Sequence, residues 1–164
     1  MTVDEILEQA LFNHGYEAIS DFLGYSYPED EDKDTTSNRI KECISQMPVE
    51  VYNQFVQKYV NGITAYNIMW DVDMEELFEK FNSMTAKEAA TVLECDYENM
   101  NDKERHDFIY DRFHHHKVDA AEFVGLPDEV LLPKDVIDID DIRDYLSDEY
   151  GYCFDGFDLK ETEI

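Results

Sequence analysis

Residues 135–151 have a helical pattern with apolar residues on one side only. At the α-helical period, four apolar or aromatic positions fall on one face, and aspartates occupy the rest of the surface. The apolar positions are Ile139, Ile142, Tyr145 and Leu146, and the acidic positions are Asp138, Asp140, Asp141, Asp144 and Asp148. Such a segment is stable only when its apolar stripe packs on a separate core and its acidic faces stay in solvent.

Aspartate is a poor choice for stabilising a helix of this kind. Its helix propensity is low, and like charges four residues apart, as at Asp140 and Asp144, repel each other. Glutamate–lysine pairs would have given the same solubility with a more stable helix. The excess of acid extends through the chain, where 40 acidic residues against 13 basic ones give a formal net charge of -27. A small domain needs a net charge of only about 2–8 for solubility, so we interpret this charge as functional.

Composition indicates a folded protein despite the charge. The 164 residues are 43% hydrophobic and 13% aromatic, whereas disordered acidic tails are poor in aromatic residues. The length suits one domain with a substantial core. We therefore predict a single acidic domain over residues 1–164, of α+β class and mostly helical, with a small antiparallel sheet. Residues 1–62 are expected to form its helical part and residues 63–164 its α+β part.

Charge and cysteine content restrict the partner and the compartment. Cys43, Cys95 and Cys153 are odd in number and far apart, which indicates a reducing compartment and no disulfide framework. No leader pattern is evident and no apolar run approaches about 18 residues, so we expect a cytoplasmic protein that does not enter a membrane. The negative sign excludes direct nucleic-acid binding through phosphates and docking on anionic lipid. We expect a basic partner, while the oligomeric state stays open.

Helix start and stop patterns predict most of the elements. Capping boxes begin helices at Thr2 and Thr85, where Glu stands three residues later. The other predicted helices cover residues 17–23, 37–47, 48–60, 71–82, 119–124 and 135–150.

The secondary structure of three segments is harder to predict. Residues 64–70 are ambiguous, and we favour a helix there. Residues 106–116 fit a helix or a strand, because their periodicity does not distinguish the two. Residues 152–159 alternate and are rich in aromatics, which predicts a terminal strand that pairs with residues 108–113.

An acidic loop imitates part of a calcium site. Asp30, Asp32 and Asp34 stand at positions one, three and five of an EF-hand loop. However, Thr35 occupies the position that requires glycine, and Lys41 occupies the position of the bidentate glutamate. A solvated loop fits this segment better.

The histidine cluster His114–His116 does not have the spacing of a zinc site either. On a helix, three consecutive side chains point about 100° apart and cannot hold one ion, although His114 and His116 could do so on a strand. We expect no metal and no cofactor. The cluster would instead relieve charge among the carboxylates, which would raise the pKa values of the histidines.

Catalytic patterns are missing from the sequence. It contains no G-x-S-x-G motif and no phosphate-binding glycine loop. The acidic surroundings of the three cysteines disfavour a reactive thiolate. Paired carboxylates occur throughout, so no pair stands out as an acid and a base. We therefore do not expect an enzyme.

Carboxylates at helical spacing resemble a row of phosphates. Residues three or four apart on a helix are roughly 5–6 Å from each other, which is comparable with neighbouring phosphates on a nucleic-acid strand. A protein surface of this kind is attracted to the Lys/Arg grooves of DNA-binding proteins. We predict a main partner-binding surface at Asp138, Asp140, Asp141, Asp144 and Asp148, and a second one at Asp71, Asp73, Glu75 and Glu76. Exposed tyrosines such as Tyr145 or Tyr150 could anchor the partner.

Two stretches resemble small acidic proteins that phages and mobile elements of Gram-positive bacteria encode. The first is Phe78–Ala90 running into Asp96–Asn101, and the second is Asp141–Phe157, a D-Y-L-S-D helix followed by a glycine-aromatic strand. Together they cover about a quarter of the chain.

The functional analogy is to the DNA-mimic inhibitors of phages and plasmids. That class implies stoichiometric blockade of a host defence nuclease at its basic DNA-binding cleft, with no catalytic residue to carry over. We expect an anti-CRISPR protein that acts on a Cas9-type effector by DNA or PAM mimicry, in the cytoplasm of the infected or host bacterium. An anti-restriction DNA mimic and a non-enzymatic acidic chaperone or adaptor for a basic protein remain as alternatives.

Overall fold

A computed structural model describes residues 1–114 and 117–162 of the chain. Over these residues the fold is α+β and mostly helical, with a three-stranded antiparallel sheet, which confirms the predicted class. The helices are α1 (Val3–His14), α2 (Tyr16–Leu23), α3 (Lys33–Gln46), α4 (Val49–Tyr59), α5 (Met74–Ser83), α6 (Ala86–Leu93), α7 (Asp102–His114), α8 (Lys117–Phe123) and α9 (Ile139–Tyr150). The strands are β1 (Ile63–Tyr66), β2 (Val130–Leu131) and β3 (Asp158–Glu161).

The chain divides into two compact units. Unit 1 comprises Met1–Tyr66, Glu129–Tyr145 and Asp158–Ile164, and unit 2 comprises Asn67–Asp128 and Leu146–Phe157. Their sequences contain 21 acidic and 7 basic residues in unit 1, and 19 acidic and 6 basic residues in unit 2. The negative charge is therefore a property of both units and is not confined to one tail or loop.

Helix α1 is the centre of the helical part of unit 1, where it packs against α2, α3 and α4. It begins with the predicted capping box: the Thr2 hydroxyl accepts from the Glu5 amide at 3.2 Å, and the Glu5 carboxylate accepts from the Thr2 amide at 2.8 Å. The apolar stripe of this helix is buried, with Ile6, Leu7 and Leu11 fully inaccessible.

Helix α3 begins four residues before its predicted start at residue 37. The cause is Asp32, whose carboxylate accepts a hydrogen bond from the Thr35 amide at 2.9 Å and so caps the helix. Asp34 is then part of the first helical turn. The carboxylates that imitate an EF-hand therefore begin a helix, and this segment does not have the geometry of a calcium loop.

The sheet has the order β2-β1-β3, with both pairs antiparallel. The predicted helix over residues 64–70 is wrong, because the β-branched Ile63 and Thr64 lie in a strand that has a partner on each side. In the register of the sheet, Thr64 lies opposite Leu131 in β2 and opposite Lys160 in β3. The predicted pairing of the terminal strand with residues 108–113 is also wrong, since those residues belong to helix α7.

Unit 2 has its own core, formed by α5 to α8. Leu77 and Phe81 of α5 are fully buried, and Ile109 and Phe113 of α7 belong to the same cluster. Helix α6 starts at the predicted capping box, where the Thr85 hydroxyl accepts from the Glu88 amide at 3.2 Å. Of the two alternatives for residues 106–116, the structure has the helix as far as residue 114.

Candidate protein-interaction surface

Two buried residues hold helix α9 in place. Ile142 and Leu146 are fully inaccessible to solvent, as the helical period predicts. Ile139 was expected on the same stripe but is 48% exposed, because it lies at the edge of the stripe in the first turn. Ile137, just before the helix, is buried in its place with 4% exposure. The core contact of this segment therefore begins before the helix does.

The predicted aspartates of this segment are all exposed. In unit 1 these are Asp138, Asp140, Asp141 and Asp144, and in unit 2 it is Asp148. Within the described residues, no lysine or arginine forms an ion pair with any of them. Ion pairs occur elsewhere, for example between Arg39 and Glu31 at 3.0 Å. The aspartates at the start of α9 and along it therefore face solvent without a Lys or Arg partner among the described residues.

The local structure explains why aspartate stands at some of these positions but not at others. The Asp138 carboxylate accepts from the Asp140 amide at 2.9 Å at the start of α9. Carboxylates in this first turn, including Asp141, also stabilise the positive end of the helix dipole. Asp144 and Asp148 lie beyond that turn and gain nothing from the dipole. Their like-charge spacing has only an energetic cost for folding.

The second predicted surface is less uniform. In unit 2, Asp71, Asp73 and Glu75 are exposed, and the Asp73 carboxylate caps α5 by accepting from the Glu75 amide at 3.0 Å. Glu76 is half-buried and accepts a hydrogen bond from the Tyr152 hydroxyl. This hydrogen bond raises the pKa of Tyr152. Asp73 and Glu76 thus have structural roles, which makes this surface the weaker candidate.

The two tyrosines proposed as anchors are not freely exposed. Tyr145 and Tyr150 are both half-buried. The Tyr150 ring packs edge-on against Trp70, with 5.4 Å between the ring centroids. Trp70 is itself 1% exposed and donates its indole N–H to the Pro127 carbonyl at 2.9 Å. Tyr150 therefore belongs to the packing of unit 2.

Unit 1 also contains a groove that the sequence did not reveal. It has a volume of about 350 Å³ and is lined in part by Asp138 and Asp141 of the predicted surface. Asp4 and Tyr52, which are distant in sequence, complete it together with Asp135. The spacing of Asp135, Asp138 and Asp141 at intervals of three was the one available clue to a shared face.

The described residues offer little to a metal ion. Over residues 1–114 and 117–162, no group of three or more His, Cys, Asp or Glu side chains is arranged to hold one. His114 is the last residue of α7, and its ring stacks on Tyr110 with 4.6 Å between centroids. His115 and His116, the rest of the predicted cluster, lie outside the described residues. Burial raises the pKa of the Cys43 thiol, which disfavours a reactive thiolate there.

Comparisons of the chain with protein-family models, with curated proteins and with solved structures find no match. Among the helices in the described parts of the chain, none is both long and apolar enough to cross a bilayer.

Proposed function

We propose that this protein is a stoichiometric inhibitor of a host DNA-binding defence nuclease and that it acts by occupying the DNA-binding cleft in place of DNA. The observation that supports this proposal is the row of exposed aspartates on α9. These carboxylates project from a helix anchored by Ile142 and Leu146, and within the described residues they have no cationic partner.

The physical basis is an imitation of the phosphate backbone. Asp141 and Asp144 are three residues apart in α9, which places their Cβ atoms roughly 5–6 Å apart, and Asp138 lies one residue before the helix begins. Aspartate holds its charge close to the helix and loses little side-chain entropy when a partner docks. A basic cleft would also relieve the repulsion within the row. The same groups that destabilise the free protein would thus favour the complex.

A Cas9-type effector is the first candidate target. Such enzymes read the PAM with arginines and hold the nucleic acid in a positively charged channel, so both features would attract a rigid acidic surface. Restriction enzymes are the second candidate, because they also bind duplex DNA in basic clefts. In either case the protein needs no catalytic residue and no cofactor.

The distribution of charge favours one rival function. Because both units carry a large excess of acid, the chain would also suit an acidic chaperone or adaptor that covers a basic protein. Such a protein would bind its partner whether or not DNA competes. The response to DNA therefore separates the two functions.

An order-of-addition cleavage assay tests the proposal. Purified guide-loaded Cas9-type effector, and restriction enzymes in parallel, receive the protein either before or after the target DNA. We expect inhibition at a one-to-one ratio when the protein is added first and little inhibition when DNA is already bound. Equal inhibition in both orders would contradict DNA mimicry, and no inhibition of any of these enzymes would refute the proposed function.

Charge-reversal variants identify the surface in the same assay. Asp141→Lys combined with Asp144→Lys should abolish inhibition. The matched control combines Asp107→Lys with Asp111→Lys. Both aspartates are exposed on α7, and their replacement changes the net charge by the same amount. We expect the control to inhibit nearly as well as the wild type. Equal loss in both variants would show that only total charge matters.

A further inference from the structure

The groove in unit 1 combines an apolar floor with an acidic rim. Its volume of about 350 Å³ is at the lower end of the roughly 300–1,000 Å³ typical of ligand pockets. This is room for one side chain and not for a large cofactor. Every residue that lines it belongs to unit 1.

The floor consists mainly of aliphatic and aromatic side chains from three segments, and the polar Ser45 and Asn53 also line the groove. Ile44 and Met47 come from the end of α3 and the residue after it, and both are half-buried. Val49, the first residue of α4, is 72% exposed at the edge of the groove, and Ile137 is 4% exposed at its base. The Tyr52 ring adds an aromatic face. A ligand must therefore offer an apolar stem.

The rim consists of four carboxylates. Asp4 lies in α1, Asp135 and Asp138 precede α9, and Asp141 lies in its first turn. The Tyr52 hydroxyl donates to Asp4 at 2.6 Å. Burial, this hydrogen bond and the charges of Asp4 and Asp138 raise the pKa of Tyr52. Tyr52 therefore stays neutral, and the rim presents only negative charge to a ligand.

We propose that this groove receives an arginine side chain of a basic protein partner. The three methylene groups of arginine would lie on the floor, while the planar guanidinium would stack on Tyr52 and donate to the rim carboxylates. An anion is repelled by the rim, and a fully apolar side chain would leave the carboxylates desolvated without a partner. Lysine fits less well because its ammonium neither stacks nor donates in a planar fork.

This inference deepens the proposed function, and it rests on that function for the identity of the partner. Recognition would then include one specific pocket for arginine at the start of α9. Long-range electrostatic attraction between the acidic protein and its basic partner would not be sufficient. Clefts that bind nucleic acid are rich in arginine, so such a partner would supply the side chain.

A peptide titration tests the groove without any nuclease. The full-length ¹⁵N-labelled protein is titrated with acetyl-Gly-Arg-Gly-amide, and the same peptide is made with lysine or with citrulline, the neutral isostere of arginine. We expect saturable amide shifts at residues 44–53 and 135–141 with arginine, weaker shifts with lysine and almost none with citrulline. Equal responses to arginine and citrulline, or shifts that map elsewhere, would overturn the inference.

Two double variants with equal net charge distinguish specific binding in the groove from non-specific electrostatic attraction. Asp138→Asn with Asp141→Asn removes two rim carboxylates, and asparagine still caps α9. Asp140→Asn with Asp144→Asn removes two charges from the same helix outside the groove. The first pair should weaken arginine binding by about tenfold or more, and the second by less than about threefold. Equal weakening would overturn the inference.

The outcomes for groove and function are distinguishable. If the peptide binds in the groove but no nuclease is inhibited, the groove is supported and the proposed function fails. If a nuclease is inhibited equally well by both double variants, the proposed function is supported and the arginine pocket is overturned.

Discussion

Replacing Asp144 by lysine should make the protein more stable and a weaker inhibitor. Asp144 lies four residues after Asp140, three after Asp141 and four before Asp148, and like charges at these spacings destabilise a helix by about 0.2–0.5 kcal/mol per pair. Lysine removes these three repulsive pairs and creates three attractive ones of similar size. The six contributions raise the free energy of unfolding by about 1.2–3 kcal/mol, and the better helix propensity of lysine adds to this.

Urea unfolding followed by circular dichroism measures this gain. With an m-value of about 2 kcal/mol/M, the midpoint should rise by roughly 0.6–1.5 M at low salt. Asp144→Asn removes the repulsion without adding attraction, so it should give about half of the gain. In about 1 M salt the Debye length falls to about 3 Å and most of the effect should vanish. A lysine variant that is no more stable than the wild type at low salt would refute the claim that the α9 row stores repulsion.

Three further substitutions test the fold. Ile142→Ala removes a fully buried side chain, so it should lower the free energy of unfolding by about 2–5 kcal/mol, measured by urea titration. Thr85→Ala removes the cap of α6 and should cost about 0.5–2 kcal/mol in the same assay; an unchanged midpoint would contradict the capping geometry. Hydrogen bonds, above all from Lys58 at 2.8 Å, hold the pKa of the exposed Asp21 below its usual 3.8. The stability advantage of the wild type over Asp21→Asn should therefore be complete above pH 3.8 and disappear as the pH falls through the lower native pKa. A pH-independent difference between these two proteins would contradict this.

Helices with their own start signals could be predicted from the sequence. At Thr2 and Thr85, the capping residue and the glutamate that completes the box are three residues apart, so the information is local. Asp32 shows how such local information is misinterpreted. Its capping role was hidden because the same carboxylate also fits a calcium-loop pattern, and α3 consequently begins earlier than predicted.

The sheet could not be predicted because its pairing is not local. Strand β1 has only four residues, too few for a clear alternation, and its partners come more than 60 residues later in the chain. Residues 108–113 offered an equally plausible strand pattern, and their helical state follows from burial of Ile109 and Phe113 in the core of unit 2. Only tertiary packing distinguishes these alternatives.

The candidate site was predictable to the extent that it lies on one element. The spacing of Asp140, Asp141 and Asp144 is enough to place them on the exposed faces of a helix with a single apolar stripe. The groove forms because Asp4 and Tyr52 lie close to the start of α9 in the fold, and no local sequence pattern indicates this proximity. Sequence spacing therefore identified the row of charges but not the pocket beside it.

If the aspartates of α9 occupy a basic cleft in place of DNA, duplex DNA must compete with the protein for its partner. A pull-down tests this: the protein is immobilised, partners are captured from a host bacterial lysate at low salt, and bound proteins are eluted with duplex DNA. We expect a DNA-binding nuclease to be retained and duplex DNA to release it, and we expect no retention by the variant with Asp141→Lys and Asp144→Lys. A basic partner that stays bound in the presence of DNA, or retention of no DNA-binding protein, would contradict DNA mimicry.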